Sequence, residues 1–268
     1  MQLRLSQITG ILSDIAPLGL AEGWDNVGLL LGDRQMEIAK VMTCLTITRS
    51  VVEEAEQEDV DLIVSHHPLP FKPLGRITTD TIPGEMVWRL CRSGVAVYSA
   101  HTAFDSAIGG INDLWAAHLG LQNPAPLIPS DSDPTVGAGR QGTLIPPVTA
   151  GDLMKTAAKR GGATRPRLVG DRDSAVTRLA VACGSGGSFL GAAARQGCQA
   201  LLTGEATFHT CLEAQARGIA LILIGHHASE RFAMETLAGR LEDALDASIR
   251  VWASKREFDP ISVDSDLS

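Results

Sequence analysis

Three apolar runs of strand length in this chain end in histidine. Asp61-Leu62-Ile63-Val64-Ser65 delivers His66-His67 and is stopped by Pro68, and Ile219 to Gly225 delivers His226-His227. Between them, Val95 to Ala100 delivers His101, with Asp105 four residues on. Runs this short, and apolar on both faces, read as buried strands of a parallel or mixed sheet covered by helices. Loops beyond the carboxyl ends of such strands diverge and leave a crevice in which ligands sit. A buried strand normally closes on turn residues, so imidazoles at three strand ends constrain the chemistry as well as the fold.

The rest of the chain alternates in the same way. Helices are expected over 6–16 with Ser6 as cap, and over 50–58, 83–91, 111–119, 188–196, 206–215 and 229–245. Further strands are expected over 41–47, 140–145, 179–183, 200–203 and 249–253. Thr149 followed by Asp152 marks a helix start of the capping-box kind. Prolines 124, 126, 129, 134, 146 and 147 punctuate a polar stretch, which reads as a domain boundary near residue 125. The expected fold is two α/β domains with mixed sheets. Residues 1–125 with 221–268 form a metal-binding domain, residues 126–220 form a second, and residues 259–268 are a frayed polar tail.

Composition narrows the partners. With 44% hydrophobic and 20% charged residues the chain is that of a folded protein. A formal net charge of −8 argues against nucleic acid or an anionic membrane as partner. Five scattered cysteines without a C-x-x-C pair fit a reducing compartment and give no thiolate zinc site. No run approaches membrane-spanning length and the first residues carry no apolar leader, so a cytoplasmic protein is expected.

The histidines read as a two-metal centre. Neighbours in a strand point to opposite faces, so His66 and His67 meet one ion only if the chain turns at Pro68; two ions remove that need. His226 and Glu230 are spaced i,i+4, one face of a helix that starts there, and His101 and Asp105 share the spacing. A carboxylate can bridge two cations in a hydrolytic centre. Imidazole and carboxylate ligands without thiolate suit Zn, Fe, Mn, Co or Ni. His118, inside a helix, fits ordinary packing. Gly184-Ser185-Gly186-Gly187 is either a tight turn or a phosphate cradle at a helix start; Phe189 breaks the dinucleotide fingerprint and no P-loop lysine follows. Trp24-Asp25-Asn26 is either a structural loop or a site wall.

Gly23-Trp24-Asp25-Asn26-Val27-Gly28, Ser65-His66-His67-Pro68, His101-Thr102-x-x-Asp105, Gly184-Ser185-Gly186-Gly187, Thr203-Gly204-Glu205 and Gly225-His226-His227-Ala228-Ser229-Glu230 occur in that order. Together they resemble the NIF-three-like family, whose members are often labelled GTP cyclohydrolase type-2-like proteins. The resemblance implies a two-domain α/β subunit, a ring-shaped homohexamer and two divalent metal ions per subunit. It puts His66, His67, Asp105, His226 and Glu230 on the metal ligands, with Glu230 as the bridge. His101 falls on a neighbouring histidine that either supports a ligand or ligates in some members, and Glu205 with His209 falls close to the cleft. The expected activity is metal-dependent hydrolysis of a small, nucleotide-like or phosphorylated substrate, with His101 as general acid/base. The alternative is a non-catalytic metal-binding scaffold or regulator of another protein.

Overall fold

The computed structural model describes residues 3–245 and 247–261. The tail expected over 259–268 therefore lies, beyond residue 261, outside the described residues. The chain is mixed α/β and divides into two compact units. One runs to Phe104 and resumes over Ala233–Phe258; the other is Asp105–Phe232 with the described residues from Asp259 on. Sequence put the exchanges near 125 and 221; the structure puts them at 104/105 and 232/233.

The first unit is built on a five-stranded sheet in the order Arg250–Ala253, Lys40–Cys44, Leu62–Ser65, Ala96–Ser99, Gly28–Leu31. Its first four strands are parallel and Gly28–Leu31 is antiparallel at the edge. Every residue of Leu62–Ser65 and Ala96–Ser99 is buried, as parallel strands covered on both faces must be. The helices Arg49–Gln57 and Ile82–Arg92 each start at a threonine whose hydroxyl accepts from a backbone N–H three residues on. Helix Leu5–Ile15 begins one residue before expected. Gln7 Oε1 accepts from the Arg4 N–H at 2.9 Å, so Ser6 lies within the first turn and is not the cap.

The second unit carries a six-stranded sheet in the order Gln122–Pro129, Gly137–Thr149, Ala175–Ala182, Ala200–Thr203, Ala220–Leu223, Arg167–Val169. Ala175–Ala182, Ala200–Thr203 and Ala220–Leu223 are parallel, and the flanking strands are antiparallel. The proline-rich stretch is thus not a boundary but a β-hairpin. Pro124, Pro126 and Pro129 sit on the edge strand, where a missing N–H costs no internal ladder bond. Pro146 and Pro147 sit opposite the register shift between Val176 and Arg178, a bulge that needs no donor there. Thr149 caps Ala150–Gly161 as expected, its Oγ1 accepting from the Asp152 N–H at 3.1 Å.

The helix expected over 229–245 is two helices, His226–Glu230 and Ala233–Ala244. Trp115 Nε1 donates to the Ser229 carbonyl at 2.7 Å and takes that acceptor from any continuing turn. The Phe232 ring lies 5.0 Å from both Trp115 and His118, which places His118 in packing, as its sequence context suggested. Ala233–Ala244 then belongs to the first unit, where Thr43 Oγ1 donates to the Met234 carbonyl at 2.8 Å.

Arg140 is the main buried cation of the second unit at 2% exposure. Its guanidinium pairs with Asp113 and donates to the carbonyls of Gly137 and Gly139 at 2.7 Å, Ser106 at 3.2 Å and Ala107 at 3.1 Å. Arg140→Met orphans these acceptors, and urea unfolding should show a loss of about 3 kcal/mol. A change inside 0.5 kcal/mol, roughly the scatter of neutral surface substitutions, would contradict this role.

Candidate metal centre

His66 and His67 leave the Leu62–Ser65 strand with the ladder still intact. Their N–H groups donate to the Cys44 and Leu45 carbonyls, both at 2.8 Å. His66 is 1% exposed. Its carbonyl accepts from Ser99 Oγ at 2.7 Å and from the His101 N–H at 3.2 Å, so the next strand's end is tied to it. His101 opens the short helix His101–Ser106 with φ +23, a left-handed value costly for a side-chain-bearing residue and concentrated at functional sites. The rings of His66, His67 and His101 lie 5.1, 5.1 and 5.5 Å apart, and each offers a ligand nitrogen within 4.8 Å of the others.

Two of these imidazoles are oriented by oxygen. His67 Nδ1 is hydrogen-bonded to Thr46 Oγ1 at 2.7 Å. The Thr46 loop is held in turn by Glu257, whose carboxylate accepts from the Leu45 and Thr46 N–H groups at 2.9 and 2.7 Å. His101 Nδ1 donates to Asp25 Oδ1 at 2.7 Å. The Asp25 side chain is fully buried and also accepts from the Thr102 N–H and hydroxyl, at 3.1 and 2.5 Å. Burial alone would raise the Asp25 pKa, but the hydrogen bonds from His101 and Thr102 outweigh it and hold the carboxyl below its usual value. The Trp24-Asp25-Asn26 loop, left open by sequence, is tied to His101 and Thr102 through Asp25.

The second unit holds the remaining sequence-predicted residues. Helix His226–Glu230 starts at the residue that puts His226 and Glu230 one turn apart, after Gly225 at φ +93. His226 lies between two carboxylates, with Nδ1 to Glu205 Oε1 at 2.9 Å and Nε2 to Glu230 Oε2 at 3.1 Å. The hydrogen bond to Glu230, working against burial and joined by Glu205, raises the imidazole from 6.5 to about 9. Glu205 Oε1 also accepts from Ser185 Oγ at 2.5 Å. His209, expected beside Glu205 near the cleft, is exposed next to Phe208.

Asp105 is held by neighbours that sequence reasoning missed. Cys183 donates its thiol to Asp105 Oδ1 at 3.1 Å, and burial first, then the charges of Asp105 and Glu230, pushes the thiol pKa well up. Asn112 donates to the Asp105 carbonyl at 3.1 Å and accepts from the Cys183 N–H at 3.0 Å. The available signal was position: Cys183 follows a buried strand as His66 does. Gly184-Ser185-Gly186-Gly187 resolves toward close approach. A Cβ on Gly184 would lie 2.2 Å from Glu230 Oε1, and its φ is +59. A Cβ on Gly204 would lie 2.6 Å from Ser229 Oγ and 2.9 Å from the His226 Cα.

The residues fit a metal. In the first unit His67 and His101 each have one ring nitrogen bonded to a side-chain oxygen, the partner a ligating imidazole normally keeps, while in the second unit both nitrogens of His226 face carboxylates, Glu205 and Glu230. In the second unit Asp105 and Glu230 add carboxylate donors, with the Cys183 thiol bonded to Asp105. Within each unit, such nitrogen and oxygen donors suit borderline divalent ions.

The family model described as Duf34/NIF3 (NGG1p interacting factor 3) matches residues 3–260. A relative from Clostridium perfringens, "GTP cyclohydrolase 1 type 2 homolog", is 34% identical over 258 residues, 96% of this chain and 98% of that one. "NIF3-like protein 1" of Drosophila melanogaster is 31% identical over 273 residues, 99% of this chain and 91% of that one. Among solved structures, a Bacillus cereus protein related to NIF3 superposes with a TM-score of 0.92 at 22% identity, covering 98% of this chain and all of that one; it shares the fold.

His226 gives a pH signature of the metal-free protein. A group raised from 6.5 to about 9 on folding contributes stability that is fully present below 6.5 and lost as pH rises through 9. With chelator present, the melting midpoint should fall between those two pH values. It should fall less in Glu205→Gln, which removes one of the carboxylates facing His226. Equal slopes in the two proteins would show that Glu205 does not stabilise the imidazolium. The side chain is 34% exposed, so the difference should be modest.

Proposed function

Because the chain belongs to the Duf34/NIF3 family, we propose that it is a metal-dependent hydrolase of a small nucleotide-like or phosphorylated substrate, with a GTP cyclohydrolase type-2-like reaction as first candidate. In this reading His66, His67, Asp105, His226 and Glu230 hold two divalent ions drawn from Zn, Fe, Mn, Co or Ni. The observation that carries it is the cluster of His66, His67 and His101, each offering a ligand nitrogen within 4.8 Å of the others, with His67 and His101 each bonded through one ring nitrogen to a side-chain oxygen. The name of the clostridial relative points the same way. The resemblance adds a ring-shaped homohexamer, and the free cysteines fit a reducing, cytoplasmic setting.

When bound, a metal pair supplies Lewis-acid activation of water and of the scissile bond. The protein's own groups do the rest. The buried Asp25 carboxylate fixes the proton of His101 on Nδ1 and stabilises the imidazolium, so Nε2 takes or gives the proton in turnover. Thr46 and Glu205 keep the rings of His67 and His226 from turning. Gly184 and Gly204 keep bulk away from the Glu230 carboxylate and from the helix that carries it.

The test is hydrolysis of GTP and a nucleotide panel by metal-loaded protein, with products identified by mass spectrometry. Asp105→Ala and Glu230→Ala should abolish turnover and lower metal content. His101→Gln should retain metal and lower kcat by about 10²-fold or more, the usual contribution of a positioned acid/base. Turnover that persists in Glu230→Ala would defeat the proposal. Full metal occupancy without turnover on any panel member would favour the non-catalytic scaffold instead.

A further inference from the structure

Aromatic residues are only 4% of this chain, and its largest fully buried rings, Trp115, Tyr98 and Phe104, are spent on packing. Trp24 and Phe71 are different. They come from loops 47 residues apart in sequence, yet their rings lie 6.1 Å apart at a 46° tilt while remaining 63% and 51% exposed. Both stand edge-on to the same imidazole, with Trp24 6.0 Å and Phe71 6.1 Å from His101, each at 77°.

These rings are held in place by the polar bonds next to them in sequence. Asp25, adjacent to Trp24, is anchored to His101 and Thr102. Asn26 Nδ2 donates to the Pro70 carbonyl at 2.8 Å and so ties the Trp24 loop to the residue before Phe71. Thr102 Oγ1 accepts from the Glu22 N–H at 3.0 Å on the other side. The loop that follows Phe71 brings two exposed cations, Lys72 and Arg76. A pre-positioned pair of exposed π faces beside an imidazole suits a flat heterocycle, and Lys72, next to Phe71 in the chain, offers positive charge to an anionic group on it.

We propose that Trp24 and Phe71 form a stacking platform for the planar heterocycle of a phosphorylated, nucleotide-like ligand, placed beside the His101 imidazole. Aromatic stacking of one base contributes about 1–3 kcal/mol and tolerates any base, because each has a π face. The platform therefore selects a planar heterocycle over a bare sugar phosphate without choosing strongly among heterocycles. Lys72, adjacent to Phe71 in the chain, supplies a point charge for phosphate. The proposal deepens the hydrolase reading by naming its substrate class and rests on that reading for His101 as the reacting group.

Calorimetric binding to metal-loaded protein separates the two ideas, with GMP and ribose 5-phosphate as probes. GMP should bind at least about tenfold more tightly, the lower part of the range expected for one stacked base. Trp24→Leu, which keeps apolar bulk and removes the indole face, should erase that difference while leaving ribose 5-phosphate affinity and metal content unchanged. Phe71→Leu should do the same to a smaller degree. Equal binding of the two probes by the wild-type protein would overturn the platform, and so would unaltered GMP affinity in Trp24→Leu. A change of oligomeric state in Trp24→Leu by sedimentation, with GMP affinity retained, would assign the rings to a contact between copies and overturn it too. Stacking with no turnover would leave the platform standing and remove the hydrolase reading alone.

Discussion

The candidate ligands depend on imidazole rings being anchored by side-chain oxygens. A histidine at the end of a buried strand carries two polar atoms into a place with little water, and each must be satisfied. In His67 and His101 one nitrogen is bonded to Thr46 or Asp25, and in His226 both nitrogens face carboxylates, Glu205 and Glu230. Such a bond sets the ring's rotation about its side-chain axis, and at His101 the Asp25 carboxylate also selects the tautomer. The cost is a partly or fully buried carboxylate, which Asp25 meets with three further backbone and hydroxyl donors.

The scaffolding extends outward from these contacts. Glu257 holds the loop that bears Thr46, so a C-terminal residue reaches His67 through a single intermediate. In the second unit Arg140 binds the Ser106 and Ala107 carbonyls directly after Asp105, and Asn112 binds Asp105's own carbonyl. Ser229 Oγ accepts from the Gly184 N–H at 2.9 Å and donates to the His226 carbonyl at 2.7 Å, which locks the glycine loop to the short helix bearing Glu230. Glycine at 184 and 204 is a steric requirement of that lock: side chains there would overlap Glu230 and Ser229.

Much of the fold was legible in the letters because short runs apolar on both faces end in an abrupt change of polarity at the histidines. The buried strands Leu62–Ser65, Ala96–Ser99, Ala200–Thr203 and Ala220–Leu223 stand within the apolar runs that announced them. So does the i,i+4 relation of His226 and Glu230. Proline misled, because its meaning depends on whether a strand lies at an edge or opposite a bulge, and pairing partners are not local information. The break at Arg231–Phe232 was hidden for a similar reason, since the competing donor, Trp115 Nε1, lies 114 positions away in sequence. Asp25, Thr46 and Cys183 acquire their roles from tertiary approach alone. Asp25 stood in a recognisable motif, while Thr46 and Cys183 stood in none.

Anomalous X-ray diffraction from the purified protein, recorded at the absorption edge of the metal found in it, tests the central claim most directly. Two peaks per subunit about 3.5–4 Å apart, contacted by His66, His67, Asp105, His226 and Glu230, are the expected result. An ion bound elsewhere, or fully loaded protein in which Asp105 and Glu230 touch no ion, would contradict the account.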